Sequence, residues 1–465
     1  MYHKTAVGGI RKRQKAKILP YNCPPLSKLS DFNYNGCMDL RESLREYLSE
    51  PETVSLLDAI TKGEITHALL LNPKKMSDEE FLKRYPHVKK HPFVPHAFLY
   101  KKEEYDLGDD ILYEDGVYSI EDAAAMMPVY FLAPEEDDIV LDMCAAPGGK
   151  SIGASIAMND AGTIIANDIS YPRAKAMSQN VERMGRGDII VASNDFVFSH
   201  IHFANTFDKI IVDAPCSGSA MMRKNPEAKD DWRYEKVKAC VKRQIEILEL
   251  AYSMLKEGGT ISYSTCSFSK EEDTDVMLNF KNLHPEISFV KIKDDPSFYR
   301  DPALPEAVYL FPHRFEGEGQ FICLFKKPGT IIKTKKTVIP NERYKDFVKQ
   351  YGLEGRSNEM MRNKFYSLYE HFDVTHLNIL RYGVKLFEMR DIFIPDHHLS
   401  HFLTPDYSKE ITLAEAKAYI HGDTFPCPWP DGFYIVSYDK QNLGFVKATQ
   451  GVAKNHYPKG LRREF

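Results

Sequence analysis

Short apolar runs alternate with longer helical stretches between residues 109 and 327. The runs are Ile139–Asp142, Thr163–Asp168, Ile189–Ala192, Lys209–Asp213 and Thr260–Ser264, and each ends in a polar or glycine turn. Short apolar runs separated by helical patterns predict β-α units around a parallel sheet buried on both faces. Ile287–Ile292 and Gln320–Phe325 follow with little helix between them and predict a closing antiparallel pair. Upstream, residues 51–102 mix helix and short strand, and Ser77–Glu80 is placed to open a helix as a capping box. Lys326, Lys327, Lys333, Lys335 and Lys336 surround Pro328-Gly329 with no acid among them, a linker composition. The pattern divides the chain into a basic extension (1–50), a small α/β domain (51–105), a principal α/β domain (106–327), a linker and small connecting region (328–374) and a C-terminal domain (375–465). No repeat or low-complexity tract is present.

Composition narrows the class. The chain has 465 residues, ample for two or three cores, with 43% hydrophobic and 27% charged residues. Collagen-like, disordered and small disulfide-scaffold proteins are excluded. No uncharged run approaches the ~20 residues of a membrane-spanning helix. Met1 to Ser30 lacks the apolar core of a secretory signal, which makes the cytoplasm the expected compartment. Cys23, Cys37, Cys144, Cys216, Cys240, Cys266, Cys323 and Cys427 show no zinc-ligand spacing, so no structural metal is expected. The net charge of −5 argues against a nucleic-acid partner only as a sum. Lys4, Arg11, Lys12, Arg13, Lys15, Lys17 and Lys28 form an acid-free basic arm. Lys454, His456, Lys459, Arg462 and Arg463, with Tyr457 interleaved, form a second basic segment suited to phosphates.

The candidate chemistry lies at the ends of the predicted strands. The first runs into Asp142-Met-Cys-Ala-Ala-Pro-Gly-Gly-Lys-Ser151, where small residues let the backbone approach a ligand and the next helix points its amides at it. The loop matches neither G-x-G-x-x-G nor the P-loop pattern, which disfavours dinucleotides and nucleoside triphosphates. Asp168 ends the second strand, at the distance where a doubly wound fold places a carboxylate on ribose hydroxyls. Asp195 lies just beyond the third strand and Asp213 ends the fourth. An acidic cleft without a pyrophosphate site suits an adenosine cofactor with a cationic centre, a description that S-adenosylmethionine fits. Cys216 follows the fourth strand and Cys266 the fifth, which places both thiols beside that cleft. Ser269–Glu272 reads as a capping box starting a helix just after Cys266, where the helix dipole would favour a thiolate.

These residues carry a resemblance. Cys144-Ala-Ala-Pro-Gly-Gly-Lys150, Asp213-Ala-Pro-Cys216 and Thr265-Cys266 resemble the motifs of RNA cytosine-5 methyltransferases of the Sun/Nop group. The chain is most similar to their RsmF-type members, which modify 16S ribosomal RNA. Asn180–Gly185, Arg223–Pro226 and Pro312–Gly319 extend the match, and Asn442–Lys447 with Lys454–Arg462 resemble the RsmF tail. The resemblance implies a Rossmann-like class I methyltransferase core with a small N-terminal domain and a C-terminal α+β PUA-like RNA-binding region. It implies S-adenosylmethionine as cofactor, held by Cys144, Ala145, Ala146, Pro147, Gly148, Gly149, Lys150, Asp168, Arg173, Asp195 and Asp213. Cys266 would be the nucleophile that adds to carbon 6 of cytosine, Cys216 would assist its release, and Asp213 would hydrogen-bond ring nitrogen 3, for which it must hold or share a proton. Arg223, Lys224, Lys454, His456, Lys459 and Arg462 are the expected RNA contacts. Lys150 would hold the loop or meet RNA. Glu121 stands where the family has glutamine, a departure expected to alter a cofactor contact. The expected partner is small-subunit ribosomal RNA, bound by a monomer without a membrane. A different RNA, such as transfer RNA, or a non-catalytic ribosome-assembly role are the alternatives.

Overall fold

The computed structural model describes residues 39–225, 232–333, 336–390, 392–404, 406 and 408–463. The basic arm expected at the N-terminus lies, up to residue 38, outside the described residues. Four sheets follow one another. His67–Leu71 (β1), Lys89–Lys90 (β2), Ala97–Tyr100 (β3) and Tyr118–Glu121 (β4) form the first, in the order β2-β3-β1-β4. The helix Asp78–Arg84 beside it opens as expected: the Ser77 hydroxyl accepts from the Glu80 amide while the Glu80 carboxylate accepts from the Ser77 amide.

The central sheet contains Ile139–Asp142 (β5), Thr163–Asn167 (β6), Ile189–Ala192 (β7), Phe207–Asp213 (β8), Leu255–Thr265 (β9), Ser288–Val290 (β10), Val308–Leu310 (β11) and Gln320–Lys326 (β12). Its order is β10-β12-β9-β8-β5-β6-β7, with β11 on β12. Strands β5 to β9 are parallel, and β10 and β12 are antiparallel partners, as the apolar runs predict. The runs are strands because both faces are covered. Val140, Ile164, Ile189, Val191 and Ile211 are buried against Val129 and Ile152 from two helices and Met177 and Val181 from a third. This is the Rossmann-like α/β core.

Beyond it, Ser357–Met361 (β13), Lys364–Leu368 (β14), Val384–Met389 and Phe393–Pro395 make a small antiparallel sheet. The strand between them, Ile379–Tyr382 (β15), leaves that sheet and pairs antiparallel with β7, extending the central sheet. The boundary expected at residue 375 therefore falls inside one folded unit, because pairing joins residues 364–367 to 384–388 across it. A last, five-stranded sheet runs from Ser408 to Asn455 and packs on the helix Leu413–His421. Its core includes Ile111, well before the central sheet. Among the described residues no helix is long and apolar enough to cross a membrane.

Candidate active site

Four strand ends and two loops build the site. The loop after β5 is tied to its neighbours: the Met143 amide donates to the Ile211 carbonyl (3.0 Å) and the Ala145 amide to the Asn167 carbonyl (2.8 Å). Gly148 turns with φ +113° into the helix Gly149–Ala157, in the region that glycine alone enters freely. A Cβ on Gly149 would collide with the Glu121 carboxylate, so Glu121 lies directly against the helix N-terminus. Burial raises the pKa of Glu121 above the usual carboxylate range, and Ser119 Oγ donates to it at 2.8 Å. Arg173 and Asn180 brace the loop from the neighbouring helix, donating to the carbonyls of Ala146 (2.7 Å) and Pro147 (3.0 Å). Cys144 lies within it, and burial with the nearby Asp142, Asp213 and Asp168 carboxylates pushes its thiol pKa up.

The three carboxylates expected to wall the cleft differ in environment. Asp168 is buried; its Oδ1 accepts from the Ser170 amide (2.9 Å), while Oδ2 has no hydrogen-bond partner, with an Arg173 guanidinium nitrogen 3.3 Å away. A buried carboxylate oxygen at a strand end, ion-paired with Arg173 but accepting no hydrogen bond, fits a ligand hydroxyl. Asp195 is exposed and accepts from the Val197 amide at 3.1 Å. Asp213 holds three partners: Oδ1 accepts from Ser264 Oγ (2.7 Å) and Gln320 Nε2 (2.9 Å), and Oδ2 pairs with Lys150 Nζ at 2.8 Å. Burial pulls the Lys150 pKa down, but Asp213, Asp142 and Glu121 more than restore it. Lys150 thus holds Asp213, and any proton Asp213 shares with a substrate comes from a site where the ammonium already sits. Asp142, behind the loop, was not singled out by sequence; burial raises its carboxyl to about 7, and Ser151 Oγ donates to it at 2.7 Å.

The two cysteines meet. Cys216 Sγ and Cys266 Sγ are 2.9 Å apart, each partly accessible. The hydrogen bond to Cys266 and burial raise the Cys216 thiol well above its ordinary range, and either sulfur can donate in the contact. Three bonds lock the loops together: the Ala214 amide to the Ser264 carbonyl (2.8 Å), the Ala220 amide to the Cys266 carbonyl (3.0 Å), and the Phe268 amide to Ser219 Oγ (2.8 Å).

Several expectations are corrected. Ser269 makes no cap bond; Lys270–Glu272 is a single 3-10 turn and the helix starts at Thr274. The reason is that Glu272 turns inward, towards the cysteine loops, instead of back to the Ser269 amide. Arg223 is no phosphate contact: its side chain is 8% exposed and spends its donors on Glu318 (2.8 Å) and the Gly317 carbonyl (2.8 Å). Lys224 pairs with Asp122 (3.2 Å) and Glu318 (3.6 Å). In the tail, Tyr457 is not interleaved at the surface; it is buried, and its hydroxyl donates to Glu114 at 3.2 Å. Arg463 also reaches Glu114, at 2.9 Å. Lys454, Lys459 and Arg462 are exposed. His456 packs edge-on against Phe433, and burial with the nearby Lys447 ammonium lowers its pKa. Sequence reasoning missed Gln320 and Ser264; the signal was a lone polar residue at the active-site end of each apolar strand.

Known proteins are similar to this chain. Residues 129–326 match the family described as 16S rRNA methyltransferase RsmB/F, and residues 407–463 match the methyltransferase RsmF PUA domain. Ribosomal RNA small subunit methyltransferase F of Shewanella piezotolerans is 26% identical over 94% of this chain and 98% of its own length. The enzyme of the same name from Escherichia coli O157:H7 is 28% identical over 89% of this chain and 94% of its own. A methyltransferase homolog protein from Pyrococcus horikoshii superposes with a TM-score of 0.53 at 26% identity, covering 62% of this chain and 93% of that one. NSun6 from the same organism, at 19% identity and a TM-score of 0.55 over 62% of this chain and 98% of its own, shares the fold. The acidic cleft and the paired cysteines lie within the segment that matches the RsmB/F model, and this chain is homologous to S-adenosylmethionine-dependent RNA cytosine-5 methyltransferases of that kind.

Proposed function

We propose that this protein methylates carbon 5 of a cytosine in small-subunit ribosomal RNA through a covalent adduct with Cys266. The observation that carries the reading is the pair of sulfurs 2.9 Å apart at the sheet edge, on loops that adjoin Asp213. Carbon 5 of cytosine is a poor nucleophile. Adding the Cys266 sulfur to carbon 6 forms a C–S bond and pushes electron density onto carbon 5 and nitrogen 3. Asp213 Oδ2, the oxygen with a single partner, passes nitrogen 3 a proton taken from Lys150 Nζ. S-adenosylmethionine, when bound, supplies an electrophilic methyl group to carbon 5. Carbon 5 then gives its proton to solvent, the electron pair left behind restores the C5–C6 double bond as the C–S bond breaks, nitrogen 3 returns its proton to the Asp213–Lys150 pair, and Cys216 gives its proton to the departing Cys266 thiolate.

The chain's residues fit that cofactor. Asp168 Oδ2 offers an unpartnered acceptor to a ribose hydroxyl. Cys144 to Lys150 form the floor, Arg173 braces it and Asp195 lines the open side. Glu121, its pKa raised by burial, stands at the helix N-terminus where the family has an amide. The target base must leave its stack to reach Cys266, so the substrate site is single-stranded or looped. Lys454, Lys459 and Arg462, with His456 beside them, contact that RNA from residues 375–465. The protein acts as a monomer in the cytoplasm.

The test is trapping. Cys216→Ser incubated with RNA and cofactor is expected to accumulate a protein–RNA adduct stable on denaturing gels. Cys266→Ala is expected to lose methyl transfer and still bind cofactor. Full turnover by Cys266→Ala overturns the nucleophile. Base-resolution mapping of 5-methylcytosine in cells lacking the gene identifies the nucleotide; no change in 16S ribosomal RNA overturns the substrate.

A further inference from the structure

Beneath the two cysteines lies a carboxylate that the reaction scheme does not use. Glu272 is buried, and four donors converge on it. Oε1 accepts from the Ser217 amide (2.7 Å) and from Gln244 Nε2 (3.2 Å); Oε2 accepts from the hydroxyls of Ser217 (2.5 Å) and Ser267 (2.6 Å). Ser217 directly follows Cys216, and Ser267 directly follows Cys266. The two hydroxyls also lie 3.2 Å apart. Gln244 is itself held, donating to the Pro215 carbonyl at 3.1 Å. Cys240, on the same helix as Gln244, bonds to Glu272 as well; burial and the Glu272 charge raise its thiol to about 12. The Tyr263 hydroxyl donates to the Glu272 carbonyl at 2.6 Å, which fixes the turn that presents the side chain.

A buried carboxylate is costly unless every lone pair is filled. Here the donors that fill them come from the two loops that carry the reacting sulfurs and from the helix behind them. The loops also meet directly, through the Ala220 amide on the Cys266 carbonyl and the Phe268 amide on Ser219 Oγ; at Ser217 and Ser267, the residues next to the sulfurs, the carboxylate is the common acceptor. We infer that Glu272 is a positioning residue: acting through Ser217 and Ser267, it sets the separation of the Cys216 and Cys266 sulfurs. The inference rests on the covalent reading of these cysteines, and its test is chosen to stand apart from that reading.

Reacting groups displaced by about 1 Å lose on the order of a hundredfold in rate. Glu272→Ala is therefore expected to lower kcat by about 100-fold, with cofactor affinity and KM for RNA changed by less than about threefold. Glu272→Gln keeps the oxygen that accepts the Ser217 amide. Its NH₂ group meets hydroxyls that can rotate to accept. It is expected to recover activity to within about tenfold of wild type.

The deciding measurement is geometric. A diazene oxidant such as diamide takes two electrons and two protons from the two thiols, closing a Cys216–Cys266 disulfide and becoming a hydrazine. Mass spectrometry reads the rate. Wild type and Glu272→Gln are expected to close it at similar rates, and Glu272→Ala at least about tenfold more slowly, as alignment governs such exchange. Should Glu272→Ala fail to fold, Ser217→Ala with Ser267→Ala removes both hydroxyl links and leaves the acid with only the amide of residue 217 from these loops, with slowed closure again expected. Disulfide closure at the wild-type rate in the folded Ala variants overturns the inference. Absence of any RNA adduct in Cys216→Ser, with slowed closure in Glu272→Ala, overturns the covalent reading and leaves the positioning role standing.

Discussion

Single residues sort by what surrounds them, and sequence reasoning sees only part of that. Asp168 was legible because a carboxylate at the end of the second strand of a doubly wound sheet has one common use. Its buried, unpartnered Oδ2 agrees with that use. Asp168→Ala is expected to weaken cofactor binding by about tenfold to a hundredfold, the loss of one charge-assisted hydrogen bond. Titration calorimetry on the folded variant checks it, and unchanged affinity removes Asp168 from the cofactor site. Arg223 was misread for the converse reason. An arginine in a polar stretch looks available, and Glu318, 95 positions away, consumes its charge in a pair buried on both sides. Lys150 and Asp213 were both singled out by their motifs, but only the fold makes them one ion pair.

Whole elements were read with more success where burial was uniform. Strands β5 to β8 are short runs of Ile, Val and Leu because both faces meet helices, so the apolar run itself is the signal. The turn after Cys266 was not legible: its Ser-x-x-Glu spacing is that of a capping box, and Ser217, Ser267 and Gln244 outcompete the Ser269 amide for the glutamate. The helix His397–Phe402 shows a second hidden feature. His398 Nδ1 accepts from Arg381 (2.7 Å), so its Nε2 carries the proton and donates to the Arg186 carbonyl (3.1 Å). His401 and His397 share an Nε2–Nε2 contact of 3.0 Å, with Lys75 Nζ 3.3 Å from His401 Nδ1. Burial lowers all three histidines, His397 to about 3, with Arg381 and Lys75 adding repulsion and Asp396 opposing it at His397. A histidine whose folded pKa lies below its unfolded value of about 6.5 gives stability that is present above that pH and is lost as pH falls towards the folded value. Tm is therefore expected to drop between pH 7 and pH 5, and His398→Asn, which can still accept from Arg381, is expected to shrink that drop. An identical drop in the variant, followed by circular dichroism, assigns the acid sensitivity elsewhere.

At the scale of the molecule, the C-terminal portion is built into the catalytic sheet rather than tethered to it. Strand β15 pairs with β7, and its Arg381 reaches Glu182 and Ser178 on the helix Tyr171–Arg183 that braces the cofactor loop. Tyr457 and Arg463 close a second attachment on Glu114. Lys454, Lys459 and Arg462 are thereby carried on a surface fixed to the catalytic domain. Replacing the three by alanine is expected to weaken RNA binding without changing Tm by more than a few degrees. It is also expected to reduce the slope of log affinity against log salt by about 2, the release of counterions from three single-strand phosphates. A slope unchanged in filter-binding measurements removes this surface from the RNA path. The amino-acid sequence by itself determined the β-α core, the cofactor loop, the acidic strand ends and the two cysteines, because each is written in a short window whose periodicity or motif answers to local backbone geometry. Only the tertiary structure decided which charges remain free, that Lys150 holds Asp213, that Glu272 joins the two cysteine loops, and that β15 returns to the catalytic sheet. Those are contacts between residues far apart in the chain, and no local pattern encodes which distant partner will fill a buried group's hydrogen bonds.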